Sequence, residues 1–276
     1  MIQPLSTVSA EVLSGNKPIR IYIHVAVMGP VTDVLQRQMN LIVRSGLYNQ
    51  CASVSLLVNG DAGKLSLVTD DPENKIKVIQ ISDNTDSYEF PTLHYLWEES
   101  RQDDFAVLYL HTKGVSKPGN KSVKDWVNYL NYFMIEKWQD RMTELERNDC
   151  TGVNLRGSAS NPVDKPEDWF QKGSPLHYSG NFWWARSAYV RLLPDPFLFK
   201  TIHEPILRYY CEMWLLQLKG VFHCAWYSGV LHHKSEPYPS FMYRKESLNH
   251  VLRLLAGKCF RIYIQLLRLI RKGSKY

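Results

Sequence analysis

Ile19 to Val27 reads IRIYIHVAV, and Met28-Gly29-Pro30 follows at once. Five of these nine residues are β-branched, and only Arg20 and His24 are strongly polar. A near-continuous apolar run cut off by a turn is the pattern of a strand buried on both faces, as strands of a parallel sheet are. Outward from it the alternation continues. Asp33 to Ser45 carries apolar residues at Val34, Leu35, Met39, Leu41 and Ile42, a helical spacing that Gly46 ends. Ser53 to Val58 reads as a second strand closed by Asn59-Gly60-Asp61, and Lys75 to Ile81 as a third. Pro91 to Ser100 reads as a helix and Phe105 to Leu110 as a fourth strand. Strands alternating with helices predict βαβ units, hence an α/β domain whose mostly parallel sheet is flanked by helices. Ligands of such sheets bind beyond the carboxyl ends of the strands. That rule gathers Val27 and Met28, Asn59 to Asp61, and His111 to Lys113 on one edge.

The second half is less regular. Val123 to Glu146 predicts one long helix, Thr151 to Leu155 a strand, and Arg156 to Lys172 a polar loop. Pro205 to Leu218 predicts a helix, and Phe222 to His233 a strand and turn before Pro237 and Pro239. Between them lies His177-Tyr-Ser-Gly-Asn-Phe-Trp-Trp-Ala-Arg186. Glycine lets backbone approach a ligand closely, and aromatic rings with polar neighbours suit sugar faces and hydroxyls. The expectation is that one of Trp183 and Trp184 is buried and the other lines a cleft.

At 276 residues and 45% hydrophobic, the chain is long enough to bury a substantial core as one globular unit. Met1 to Lys17 lacks the basic and apolar regions of a signal peptide, and no apolar stretch is long enough to span a bilayer. The five cysteines show neither metal-ligand spacing nor a disulfide framework, which suits a reducing compartment. The net charge of +6 conceals a division. Arg244 to Tyr276 holds nine basic residues against Glu246, whereas the other 243 residues carry 24 basic and 26 acidic side chains. The globular part therefore has no nucleic-acid signature. The organisation expected is an extension over 1–18, a domain over 19–243 and a basic amphipathic helix over 244–276. That tail has apolar positions at Leu252, Leu255, Phe260, Tyr263, Leu266, Leu267 and Ile270 among its basic residues. It reads as a helix on an anionic membrane surface, or as one packed on the domain or on a second copy.

Tyr88-Glu-Phe-Pro-Thr-Leu93, Tyr109-Leu-His-Thr-Lys-Gly114, His177 to Trp184 and Leu192-Leu-Pro194 together carry a family resemblance. The chain resembles glycosyltransferases of the GT-A fold, and among them the bacterial and viral proteins related to rhamnan-synthesis protein F, which act in polysaccharide biosynthesis. The resemblance spans residues 19 to 235 or so. It implies a nucleotide-diphosphate sugar as donor in the N-terminal half and a glycan or lipid-linked glycan acceptor in the C-terminal half. A cytoplasmic protein, peripheral on the inner face of a membrane, is the location expected. Many such enzymes hold Mn²⁺ or Mg²⁺ with Asp-x-Asp after the fourth strand. Here His111-Thr112-Lys113 stands there, and no metal ligand is assigned. The other class that fits is a non-catalytic carbohydrate-binding or scaffold module on the same frame.

Candidate roles follow residue by residue. Lys113 either neutralises the departing diphosphate or is a solvated turn lysine. His111 either donates to the same phosphates or is structural. Val27 and Met28 lie on the expected donor edge, and Asn59 and Asp61 stand where a base or ribose would be read, although Asn-Gly-Asp is also ordinary turn chemistry. His232 and His233 stand where the resemblance places a histidine near the diphosphate. His177, Asn181, Trp183 and Trp184 form the expected acceptor site. Glu212 is the candidate base that takes the acceptor hydroxyl's proton, with Glu204 as substitute; the other reading of Glu212 is an ion pair with Arg208.

Overall fold

The computed structural model describes residues 17–66, 71–160, 173–200 and 207–244, together with Cys259 and Ile262. Strand β1 (Ile19–Ala26) leads to helix α1 (Val31–Arg44), the single turn α2 (Leu47–Gln50) and β2 (Cys51–Asn59). After β3 (Ile76–Ser82), α3 (Phe90–Ser100) and β4 (Ala106–His111) come α4 (Lys121–Asn131) and α5 (Trp138–Leu145). The remaining strands are β5 (Cys150–Val153), β6 (Leu155–Arg156), β7 (His177–Tyr178), β8 (Trp183–Arg186) and β9 (Phe222–Trp226). Seven of them form one sheet in the order β3-β2-β1-β4-β8-β5-β9, while β6 and β7 make a small ribbon. Pairing is parallel except along β8, which runs antiparallel to both β4 and β5.

The N-terminal half follows the sequence pattern closely. Ile21, Ile23 and Val25 are fully buried against α1, whose Val34, Leu35, Met39 and Ile42 face inward. On the opposite face, Tyr22 packs with Leu93, Leu96 and Tyr109. Each buried strand thus feeds two cores, one per face, which is what the β-branched run predicted. The chain order reverses at β1: β2 and β3 lie on one side of it and β4 on the other. A crevice at the carboxyl ends of β1 and β4 is the result.

Three expectations need correction. The long helix over Val123 to Glu146 is broken by a wide turn at Tyr132–Glu136, where the Lys137 amide reaches back to the Tyr132 carbonyl at 3.0 Å. Such turns free carbonyls from the helical ladder. The Met134 carbonyl is bonded instead to the Trp184 indole N–H at 2.9 Å. The aromatic segment, expected to bury one tryptophan and turn the other to a cleft, contains strand β8 inside the sheet. Adjacent strand residues point to opposite faces, and both faces here are covered. Trp183 enters one core and Trp184 the other, at 1% and 0% exposure. The helix predicted over Pro205 to Leu218 ends at Met213, and its first two residues lie outside the described residues. The amphipathic tail lies outside the described residues apart from Cys259 and Ile262, both exposed. Among the described residues no helix is long and apolar enough to cross a membrane.

Candidate functional site

Parallel β1 and β4 end at the same edge at which antiparallel β8 begins, so three segments meet there. In register, His24 stands opposite His111. Thr112 is buried, and its hydroxyl accepts from the Ala26 amide, locking the turn after β4 to the end of β1. Lys113 and Gly114 follow. The φ of Gly29 is +51°, and a Cβ there would meet the Val115 carbonyl at 2.5 Å, so the turns after β1 and β4 touch backbone to backbone. Beside this contact a cavity of about 350 Å³ is lined by Val27 to Asp33 and Lys64. Two of the donor-site expectations, Val27 and Met28, fall on its wall.

Lys113 is half-buried with its ammonium 3.9 Å from the centre of the Trp126 ring. It makes no ion pair with any described residue. Desolvation pushes its pKa down, opposed first by Glu212 and then by Glu89, while Lys234 adds to the depression. A cation short of close counter-charge is thus held at the strand end, with two carboxylates in electrostatic range. On its Nε2 side His111 is bonded to the Gly180 carbonyl at 3.0 Å, and its pKa is pushed down to about 3 by burial and by Lys113. It is a neutral anchor between β4 and the segment before β8. Of the two readings of His111, donation to phosphate or a structural role, the bond to Gly180 favours the structural one.

The residue that sequence reasoning missed is Glu89. It lies inside a motif quoted for the resemblance, yet its own carboxylate gave no spacing signal. Its Oε2 accepts from the Tyr109 hydroxyl at 2.5 Å and from Asn181 Nδ2 at 2.6 Å. Asn181 is buried with φ at +54°; its Nδ2 also reaches the Cys211 carbonyl at 3.4 Å and its Oδ1 accepts from the Trp183 indole at 3.0 Å. One asparagine therefore ties the start of α3 to the helix that carries Glu212. All its polar atoms are engaged, so Asn181 positions the site and does not meet an acceptor directly. Asn59 is similar: fully buried, it donates to the Tyr88 carbonyl at 2.7 Å and the Ser87 hydroxyl at 3.0 Å. It holds the chain before Glu89 and does not read a base.

The other expectations separate likewise. Trp183 and Trp184 are enclosed, Trp183 stacking on Tyr109 with ring centres 4.8 Å apart, so neither is an acceptor platform. His177 sits on the β6–β7 ribbon with Nδ1 bonded to the Pro175 carbonyl. Asp61 is exposed and caps the turn at Ala62–Lys64 through the Gly63 amide. His232 is exposed. His233 is buried and stacks on Trp126 at 5.2 Å, behind Lys113, with Nε2 near Asn154 and Ser228; its Nδ1 has no partner among the described residues. Glu212 is half-buried on the Leu207–Met213 helix and pairs with no described cation. Glu204 and the side chain of Arg208 lie outside the described residues.

The end of β4 does not suit a hard divalent cation. His111 and Thr112 are already bonded within the protein, and Lys113 brings positive charge. Asp103 and Asp104, at the far end of β4, pair with Arg20, Lys17 and Arg191. Asp71 accepts from the Tyr48 hydroxyl and the Ile76 amide.

Two buried histidines, His24 and His233, and the half-buried His111 make the fold acid-sensitive. Burial is the first cause in each: His24 lies at about 4, His111 and His233 at about 3. Unfolded, each titrates near ~6.5. Below that pH the unfolded chain takes up protons that the folded chain refuses, so stability is full above it and falls towards about 4. At pH 5 each histidine costs on the order of 2 kcal/mol. Thermal unfolding is expected to show Tm dropping steeply below pH 6.5; a flat profile down to pH 5 would contradict neutral buried histidines.

Taken together, the fold and the site define an α/β protein with a mostly parallel sheet and a polar cleft at its carboxyl edge. The chain belongs to the family described as domain of unknown function DUF8361, whose model matches residues 20–236. No curated protein matches it.

Proposed function

We propose that the chain is a GT-A glycosyltransferase that moves a sugar from a nucleoside-diphosphate donor to a glycan acceptor with inversion. The observation that carries this reading is Lys113, a half-buried ammonium without an ion partner among the described residues, on the turn after β4 that touches the cavity-lining turn after β1. The cavity takes the nucleoside, with Asp33 and Lys64 offering polar contacts, and the diphosphate reaches Lys113. Glu212 accepts the proton of the acceptor hydroxyl as that oxygen bonds to the anomeric carbon. The bond from that carbon to the diphosphate oxygen breaks with its electron pair, and the charge left on the diphosphate is met by Lys113. The Trp126 face under the ammonium and the rigid bonds of His111 and Thr112 keep the cation in place, so little reorganisation is needed.

A purely carbohydrate-binding module would gain little from this arrangement, because both tryptophans are enclosed. The basic pattern of residues 244–276 supports presentation of a lipid-linked acceptor at an anionic, cytoplasmic membrane face.

The test is hydrolysis of a panel of UDP-, GDP- and dTDP-sugars in excess EDTA. The expected result is slow release of nucleoside diphosphate from one donor at a rate the chelator leaves unchanged. Complete loss in EDTA, restored by Mn²⁺ or Mg²⁺, would refute the metal-free mechanism. Failure to bind or hydrolyse any donor would refute the transferase reading.

A further inference from the structure

Glu89 is held more rigidly than a surface carboxylate needs to be. The same oxygen takes both short hydrogen bonds, from Tyr109 and Asn181. Its other oxygen accepts from no described residue, and the residue is half-buried. The residue before it, Tyr88, has φ at +51°, a conformation costly for a bulky side chain. It persists because Asn59 clamps the Tyr88 carbonyl. Asn181 is also left-handed, at +54°. A strained tyrosine and a left-handed asparagine therefore adjoin one carboxylate, and strain such as that of Tyr88 persists where the surroundings over-determine it, commonly at ligand sites. The charge lies in range of Lys113, His24 and Cys211, and Glu212 is in range of the same Lys113.

We propose that Glu89 forms a sugar subsite, its second oxygen accepting a hydrogen bond from one hydroxyl of the sugar held beside Lys113. The assignment rests on the transferase reading and adds a substrate requirement to it. An ionised carboxylate only accepts, so it selects a sugar with a hydroxyl at the facing position and rejects one that lacks it there. A site built to bond a hydroxyl discriminates strongly against its absence, because the polar group is then left unpaired. Tyr109 and Asn181 act as positioning residues that aim the carboxylate.

The experiment uses the full chain, the sugar nucleotide it hydrolyses, and a set of deoxy analogues each lacking one hydroxyl of the sugar. Wild type should lose at least about 100-fold in kcat/KM for one analogue. Glu89→Ala should be slow with the parent donor yet discriminate less than about 3-fold at that same position, while the free nucleoside diphosphate inhibits both proteins equally. Glu89→Met, close in length and without a group that bonds a hydroxyl strongly, covers the case in which the alanine variant does not fold. Discrimination that survives in either folded variant, or wild type that tolerates every deoxy analogue, would overturn the subsite and leave the transferase standing. No binding of any sugar nucleotide by wild type would overturn both.

Discussion

Glu212→Gln is expected to lower transferase turnover by roughly 10²–10⁴ while donor binding stays near wild type. Glutamine keeps the size and hydrogen-bonding reach of the side chain but cannot take a proton at neutral pH. Glu212 suits the role because it is half-buried, pairs with no described cation, and acts first among the carboxylates on the Lys113 ammonium. The preceding Cys211 is buried, and its carbonyl is tied through Asn181 to Glu89, so the helix is fixed relative to the cleft. Turnover and donor affinity measured on the same preparation separate the outcomes. Unchanged turnover would remove Glu212 and direct attention to Glu204. A folded variant that no longer binds donor would show that the carboxylate is structural.

Lys113→Ala should weaken nucleoside-diphosphate binding by about 1.5–3 kcal/mol, the range for a lost charged hydrogen bond, which is roughly 10- to 150-fold. Turnover should fall as well, since the leaving charge then has no cation to meet. A pH signature accompanies the wild-type protein. Desolvation lowers the Lys113 pKa in the empty cleft, and an arriving diphosphate favours the charged form. Binding therefore takes up a proton once pH exceeds the free-state pKa, and affinity should decline on the alkaline side. The alanine variant should lack that decline. Equal affinity in variant and wild type would exclude Lys113 from the donor site.

Much of the fold was legible because its N-terminal strands are buried on both faces, which writes an apolar, β-branched run directly into Ile19 to Val27. The predicted strand ends fall within two residues of the observed ones for β1 to β4. Strand β8 was illegible for a physical reason. Four residues between a glycine-containing turn and a short helix carry too little periodicity to show, and two adjacent tryptophans look like a binding surface until both faces of the sheet are known to be covered. Lys113 was singled out because its strand-end position and the family resemblance both mark it. Glu89 was not, because its importance lies in partners 20 and 92 residues away, Tyr109 and Asn181. Asn59 and Asn181 were recognised as polar residues near a cleft, but their direction was not readable; both turn inward to hold the Tyr88-Glu89 segment.

The central claim is that the carboxyl edge at β1 and β4 holds a nucleoside diphosphate, and a crystal structure of the full chain soaked with UDP, GDP and dTDP in turn tests it most directly. The account predicts that one nucleotide places its base in the cavity lined by Val27 to Asp33 and Lys64, with a phosphate oxygen within hydrogen-bonding distance of Lys113 Nζ. A nucleotide bound elsewhere, or none bound with that cavity open to solvent, would contradict it.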